Sequence, residues 1–423
     1  LETHPKMIEN HLQHVIYAIN QPAAARGYQS VFWNISLYDE PYFDSMFGDF
    51  VFPDMSKPSF ARLFKLQHFF LKWFNAERLK AILTFPVVTA AMLTSEGKPV
   101  DSAFADMCAE ELSEGNSFFV YQSESADSLA SCCRLRNEIS DHTFSYSLGA
   151  GGVATGSINV ITLNMNRLVQ QNRNLSEEVR KIHRYQVAFR KLIEEYKAGG
   201  LLPVYDAGFI SLDKQFLTIG INGMVEAAEY LGIAPTNNEQ YKDFVRHHLK
   251  IIYEENRKAR EVYGYMFNTE FVPAENLGVK NALWDKKDGL FSPRECYNSY
   301  FYAVEDTQVN ALDKIILHGK EIIQYLDGGS ALHLNLEETP NKEGFLKLLN
   351  ATALAGCNYF CFNIRITICN ECNHIDKRTL FECPECHSEN VDHATRVIGY
   401  LKRVSCFSTA RQKEHALRHY HVQ

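Results

Sequence analysis

The sequence predicts an α/β protein built on a largely parallel sheet, open or closed into a barrel. Short apolar segments alternate with long amphipathic stretches along most of the chain, which is the pattern of strand and helix in turn. The 423 residues are 46% hydrophobic, enough for a large buried core. Near Ile366 the alternation stops, and Cys, His, Asn and Glu replace it.

The elements follow in order. His11 to Asn20 reads as a helix, and Val31 to Ile35 as a buried strand. Lys65 to Glu77 reads as a helix leading into a strand from Ala81 to Val88. Asn159 to Asn164 favours the extended form through Val160, Thr162 and Leu163. The clearest helix runs from about Glu177 to Lys197. It places Val179, Ile182, Phe189, Leu192, Ile193 and Tyr196 on one face. Ser176 is placed to cap it, Glu177 and Glu178 suit its positive end, and Gly199-Gly200 stops it. A second long helix spans roughly Glu239 to Val262. A third, Lys342 to Leu354, ends at Gly356 and feeds a strand from Tyr359 to Ile364.

The bulk numbers exclude several classes. A net charge of −8, with 22% charged residues, argues against a general polyanion binder, though it permits a local basic pocket for a triphosphate. The 11 cysteines are odd in number and scattered, unlike a secreted disulfide framework, so a reducing cytoplasm is expected. No apolar run is long enough to span a bilayer, and the polar start shows no signal peptide. The chain opens on Leu1 and passes almost directly into a helix, so an upstream portion is expected.

Cys369-Asn370-Glu371-Cys372 and Cys383-Pro384-Glu385-Cys386 are separated by ten residues. Each Cys-x-x-Cys turn aims two sulfurs at one point, and four thiolates suit a closed tetrahedral zinc site. Iron is the rival ion, and a redox dithiol the rival chemistry. His374 and His387 lie close enough to stand in for a thiolate, but four cysteines already fill the shell. The module is acidic, with Glu371, Asp376, Glu382, Glu385 and Glu389 against Lys377 and Arg378, so nucleic-acid binding is not expected.

Ten positions after Cys386 begins Arg396-Val397-Ile398-Gly399-Tyr400, with twelve residues between Cys386 and Gly399. Alone it reads as a glycine in a turn. Directly after a four-Cys module, it resembles the glycine loop of the anaerobic (class III) ribonucleoside-triphosphate reductases, which are glycyl radical enzymes. Similar blocks occur at Asp327 to His333, Pro273 to Asn276, Cys133-Arg134 and Asn159 to Asn164. The similarity covers essentially the whole chain and matches the later part of such an enzyme. A backbone Cα radical is stabilised when the carbon flattens between an amide nitrogen and a carbonyl, and glycine has no side chain to hinder it.

The resemblance implies a ten-stranded α/β barrel with a C-terminal zinc-ribbon module. Residues 1–365 would form the barrel portion, with a finger loop near 131–157. Residues 366–392 would form the zinc module, and 393–423 the glycyl radical loop and terminal helix. Gly399 would store a radical installed by an activase that uses S-adenosylmethionine and an iron–sulfur cluster. Cys133 is the expected thiyl residue and Cys132 the adjacent alternative; both also fit small buried core residues. The product would be a deoxyribonucleoside triphosphate, with formate or a thiol protein as reductant. Nucleotide effectors (ATP, dNTPs) and a homodimer are further implied, without nucleic-acid or membrane partners.

Substrate-binding candidates are weaker. The amides of Gly328, Gly329 and Ser330 suit phosphate oxygens or a simple turn. Asn34, in an apolar strand, fits either a ribose contact or a satisfied core polar residue. Ser157 stands where the family often has a polar group. Gly149 to Gly156 lacks the following Gly-Lys-Ser/Thr of a P-loop. Glu414, His415 and His419 lack the order of a hydrolytic zinc motif, and with Lys402, Arg403, Arg411, Lys413 and Arg418 they read as a solvated terminal surface. The alternatives to nucleotide reduction are another glycyl radical enzyme (a lyase or dehydratase) and a non-catalytic zinc-ribbon scaffold.

Overall fold

The computed structural model describes residues 4–24, 27, 30–126, 128–131, 135–138, 156–271, 276–396 and 399–421. The chain divides into two compact units, residues 1–124, 333–354 and 360–423 in one and residues 125–332 and 355–359 in the other.

The first unit is built on two sheets. The larger follows the order Asn34–Tyr38, Val87–Ser95, Phe119–Ser123, Tyr359–Asn363, Leu332–Asn335, with Lys98–Pro99 beside the second strand. Its first three strands run parallel, with Asn34 opposite Val87 and Thr89 opposite Phe119. The smaller sheet is antiparallel and four-stranded, in the order Ile375–Asp376, Ile366–Cys369, Val391–Arg396, Leu401–Arg403. The metal module and the strands flanking the glycine loop are therefore one sheet. Its core is Ile368, Ile375, Ala394 and Leu401, packed by Ile82 and Ile366.

The second unit holds a parallel sheet of Gly156–Asn164, Gln215–Asn222 and Met266–Phe271, and a hairpin of Ser128–Ser131 with Leu135–Glu138. Val187, Leu217, Ala259 and Phe267 pack the long helices Leu175–Ala198 and Glu239–Tyr263 onto that sheet. The second of these helices is read well from sequence. Asn238 caps its start by accepting from the Tyr241 amide at 2.8 Å, and Gly264 ends it at φ +69°.

Four expectations need correction. The first strand is Asn34–Tyr38, not Val31 to Ile35. Phe32 is 44% exposed and packs edge-on to the rings of Phe85 and Tyr400 instead. The next strand begins at Val87, not Ala81, because Pro86 has no N–H to give a ladder. The helix Leu175–Ala198 is capped by Asn174, not Ser176. Its buried stripe is Val179, Ile182, His183, Gln186, Val187 and Arg190, while Phe189, Leu192 and Tyr196 are exposed. Polar members of the stripe find tertiary partners: His183 shares a 2.8 Å hydrogen bond with Asn256, and Gln186 donates to the Thr218 carbonyl at 2.7 Å. Hydrophobic periodicity cannot register a buried polar group that is satisfied from another element.

Candidate functional site

The two Cys-x-x-Cys turns fold alike. The Cys369 amide donates to the His374 carbonyl, and the Asn373 amide returns to the Cys369 carbonyl. Cys383 repeats this with Ser388 and His387. Asn373 and His387 both take positive φ, +61° and +58°, which closes each turn just past its second cysteine. The four Sγ atoms all lie within 4.8 Å of one another, with 3.5 Å from Cys369 to Cys386 and 3.6 Å from Cys372 to Cys383.

Zinc at ~2.3 Å from each sulfur of a tetrahedron sets S–S edges of about 3.8 Å, so the tetrad fits that ion. None of the described cysteines forms a disulfide. The N–H of Cys372, and next that of Glu371, point at the Cys369 sulfur and draw its thiol down to about 7, favouring the thiolate a metal needs. His387 is instead paired with Glu382 at 2.8 Å. Four ligands leave no open position, so bound zinc would hold the sheet together.

The same sheet carries the glycine. Strands Val391–Arg396 and Leu401–Arg403 pair with Arg396 opposite Leu401, so Gly399 sits in their connection, and it is buried. Val397 and Ile398 lie outside the described residues. Arg396 Nη1 donates to the Gly399 carbonyl at 2.6 Å, and its Nη2 reaches the Ser117 carbonyl and hydroxyl at 3.1 and 3.0 Å. Its guanidinium lies 4.7 Å from the centre of the Phe119 ring. Tyr400 packs on Phe85. Arg78 also donates to the Ser117 carbonyl, at 2.8 Å. Burial, and then the charge of Arg396, bring Arg78 down to about 9.

A family model described as anaerobic ribonucleoside-triphosphate reductase matches residues 2–421. The chain belongs to that family. It is an oxidoreductase that reduces ribonucleotides anaerobically. A solved anaerobic ribonucleotide reductase is 29% identical, with TM-score 0.87, over 100% of this chain and 69% of the other. The Thermotoga maritima enzyme, solved with dATP and CTP, is 30% identical, with TM-score 0.84, over 98% and 69%. A glycyl radical enzyme from Archaeoglobus fulgidus, 12% identical with TM-score 0.50 over 84% and 55%, shares the fold. No curated protein matches the chain.

The other site candidates of this family member fall as follows. Cys132 and Cys133 lie outside the described residues, between Ser131 and Leu135, which pair at the end of the hairpin. Gly149 to Gly152 also lie outside. Asn34 begins the first strand, and its buried Oδ1 has no hydrogen-bond partner among the described residues. Ser157 and Gly328, 171 positions apart in sequence, come together. The Ser157 hydroxyl bonds Thr218 Oγ1, which donates to Asn268 Oδ1 at 2.6 Å. A Cβ built on Gly328 would stand 3.1 Å from Asn268 Nδ2 and 2.7 Å from the Thr269 carbonyl. The Gly328 and Gly329 amides donate to the Thr269 and Leu326 carbonyls, so both are already engaged. Ser330 Oγ and Asn268 Nδ2 are buried without hydrogen-bond partners among the described residues. Neither Thr218 nor Asn268 stood out in sequence, since a lone polar residue in an apolar strand carries no periodic signal.

The largest correction is at the C-terminus. The helix Thr409–Leu417 is not a solvated surface, because Arg411, Glu414, His415 and Arg418 are all buried. Lys413 is exposed, and Lys402 and Arg403 are half-buried. His419 lies past the helix, so it does not share a helical face with His415. Burial raises the Glu414 carboxyl, but Arg418 and then Arg411 outweigh it and hold it below the usual range.

Burial, with Arg418 next, lowers His415 from 6.5 to about 4. The folded state therefore binds fewer protons there than the unfolded chain between those values. Stability from this group is complete above pH 6.5 and is lost as pH falls toward 4, by about 3 kcal/mol at most. The H415F variant is expected to flatten the slope of denaturation free energy over that window; an unchanged slope would place the titration elsewhere.

Proposed function

We propose that this chain performs the glycyl and thiyl radical steps of ribonucleoside triphosphate reduction, with Gly399 as the radical store and Cys133 as the thiyl residue. The observation that carries the reading is a buried glycine whose carbonyl is gripped by the arginine of its own motif, on the sheet that carries the four thiolates. Zinc on Cys369, Cys372, Cys383 and Cys386 serves as the structural clamp of that sheet. The radical is installed by a separate activase that uses S-adenosylmethionine and an iron–sulfur cluster.

Cys133 gives its hydrogen atom to the Gly399 Cα, forming a C–H bond and leaving a thiyl. The thiyl takes the 3′ hydrogen of the ribonucleotide. The 2′ hydroxyl, protonated, departs as water. A formate or thiol-protein reductant supplies the two electrons which, with a proton, make the new C–H bond at C2′. The 3′ hydrogen returns from the Cys133 thiol, and the thiyl left behind takes a hydrogen atom back from Gly399, restoring the stored radical. A thiol suits the relay because its S–H bond is comparable in strength to the bonds exchanged.

Ser157, with Thr218 and Asn268, and the segment Gly328, Gly329 and Ser330 are proposed to contact substrate, as is Asn34. Polar atoms of Asn34, Asn268 and Ser330 that are buried without a partner among the described residues support this, since such an atom is costly to leave unpaired. With both glycine amides engaged, side chains rather than a nest of amides would meet the nucleotide. The fold is proposed to be the ten-stranded barrel of glycyl radical enzymes. Residues 1–365 would be its portion here, 366–392 the zinc module, and 393–423 the radical loop and terminal helix. Nucleotide effectors and a homodimer complete the reading. A relative solved with dATP and CTP supports the nucleotide part. The site of action is proposed to be the cytoplasm. Among the described residues, no helix is long and apolar enough to cross a membrane.

Cys133→Ala tests the assignment. The activated variant is expected to keep the glycyl doublet in electron paramagnetic resonance and to form no deoxyribonucleotide. Turnover by this variant would move the thiyl role away from Cys133, first to Cys132.

A further inference from the structure

We propose that Arg418 and Glu414 are positioning residues that brace the glycine loop from the C-terminal helix. This rests on the reading of Gly399 as the radical site.

Arg418 Nη1 donates to the backbone carbonyl of Arg396 at 3.1 Å. Its Nε and Nη2 grip Glu414 in a fork, at 2.9 Å to Oε1 and 3.0 Å to Oε2. Both side chains are nearly inaccessible, 2% and 8% exposed. Arg411 closes the other side of Glu414 at 3.5 Å. Arg396 is thus held twice: Arg418 fixes its main chain, and Ser117 fixes its side chain, which in turn holds the Gly399 carbonyl.

The brace has an anchor of its own. The His421 amide donates to the Asn335 carbonyl at 3.0 Å, and Glu337 returns a bond to the His421 carbonyl at 2.9 Å. The Arg365 guanidinium sits 4.2 Å from the centre of the Tyr420 ring. The chain is thus tied to the backbone at Asn335 through His421, three residues beyond Arg418. Arg418 in turn bonds Arg396, whose side chain holds Gly399.

A buried ion pair is a poor source of stability, because desolvation offsets most of its attraction. What a forked arginine–carboxylate pair supplies is direction. Glu414 aims the Arg418 fork, and the remaining N–H is left to reach one carbonyl. That points to placement of the glycine, not to added folding energy, as the role of this pair.

Two variants test it. Arg418→Lys keeps a charge for Glu414 but loses the fork that reaches Arg396. Arg418→Met with Glu414→Met removes the pair while preserving volume. Hydrogen exchange of the backbone amides within 393–403 is the first readout, made on the unactivated protein. Decay of the glycyl doublet after activation is the second, with zinc content as the control. Both variants are expected to retain zinc, to exchange about tenfold or more faster in that segment alone, and to lose the doublet sooner than the parent. Parent-like exchange in both variants would overturn the brace. A parent protein that never yields a doublet would instead count against the radical assignment, and the exchange result would still decide the brace.

Discussion

Gly399→Ala is expected to abolish the glycyl doublet and reduce turnover to the uncatalysed rate, a loss of at least about 10⁶-fold. The physical reason lies on one carbon. A Cα radical gains its stability by flattening between the amide nitrogen and the carbonyl, and a methyl group crowds that geometry. The site is also enclosed: Gly399 is buried, and Arg396 fixes its carbonyl at 2.6 Å, so the backbone has little room to adjust around a Cβ. Zinc should stay bound, because the four thiolates lie elsewhere on the sheet. Spectra taken after anaerobic activation, with metal content measured on the same sample, check this. A doublet surviving in the alanine variant would sink the assignment of position 399.

Cys383→Ser carries the second large effect. Cys383 is 1% exposed, and its sulfur stands 3.6 Å from that of Cys372. Zinc prefers thiolate to hydroxyl, and removing one of four ligands forfeits much of a binding energy that reaches about 10–16 kcal/mol in small zinc modules. With zinc bound, that energy would be folding energy, since the small sheet has a core of few side chains. The variant is expected to bind far less than one zinc per chain. It should expose segment 366–403 to proteolysis before the parallel sheets and fail to accumulate the glycyl radical. Chelation of the parent protein should reproduce all three changes. A variant that keeps one zinc and a stable radical would separate the metal from the loop.

The long helices were legible because their signals are local. Asn238 and Gly264 bound one helix, Gly199 stops another, and apolar spacing fills the interior. The metal tetrad was legible for the same reason, since two turns of four residues each bring their own pair of sulfurs. The face of Leu175–Ala198 was misread from Phe189 onward, because His183, Gln186 and Arg190 are buried against partners far along the chain. The terminal helix misled more strongly. Read singly, Arg411, Glu414 and Arg418 are surface residues; together they are a buried cluster. The expected thiyl cysteine falls outside the described residues, so its role stands on the sequence resemblance.

What the sequence determined by itself is the chemistry on offer: four thiolates at metal spacing, a glycine in a recognisable loop, and alternating elements for a parallel α/β fold. Each is set by residues close together in the chain. Only the tertiary structure decided how the glycine is held. Ser117, Arg396, Glu414 and Arg418 span some 300 positions, and the charges of the two arginines and the glutamate become tolerable only when folding supplies each with a hydrogen-bonded partner out of water.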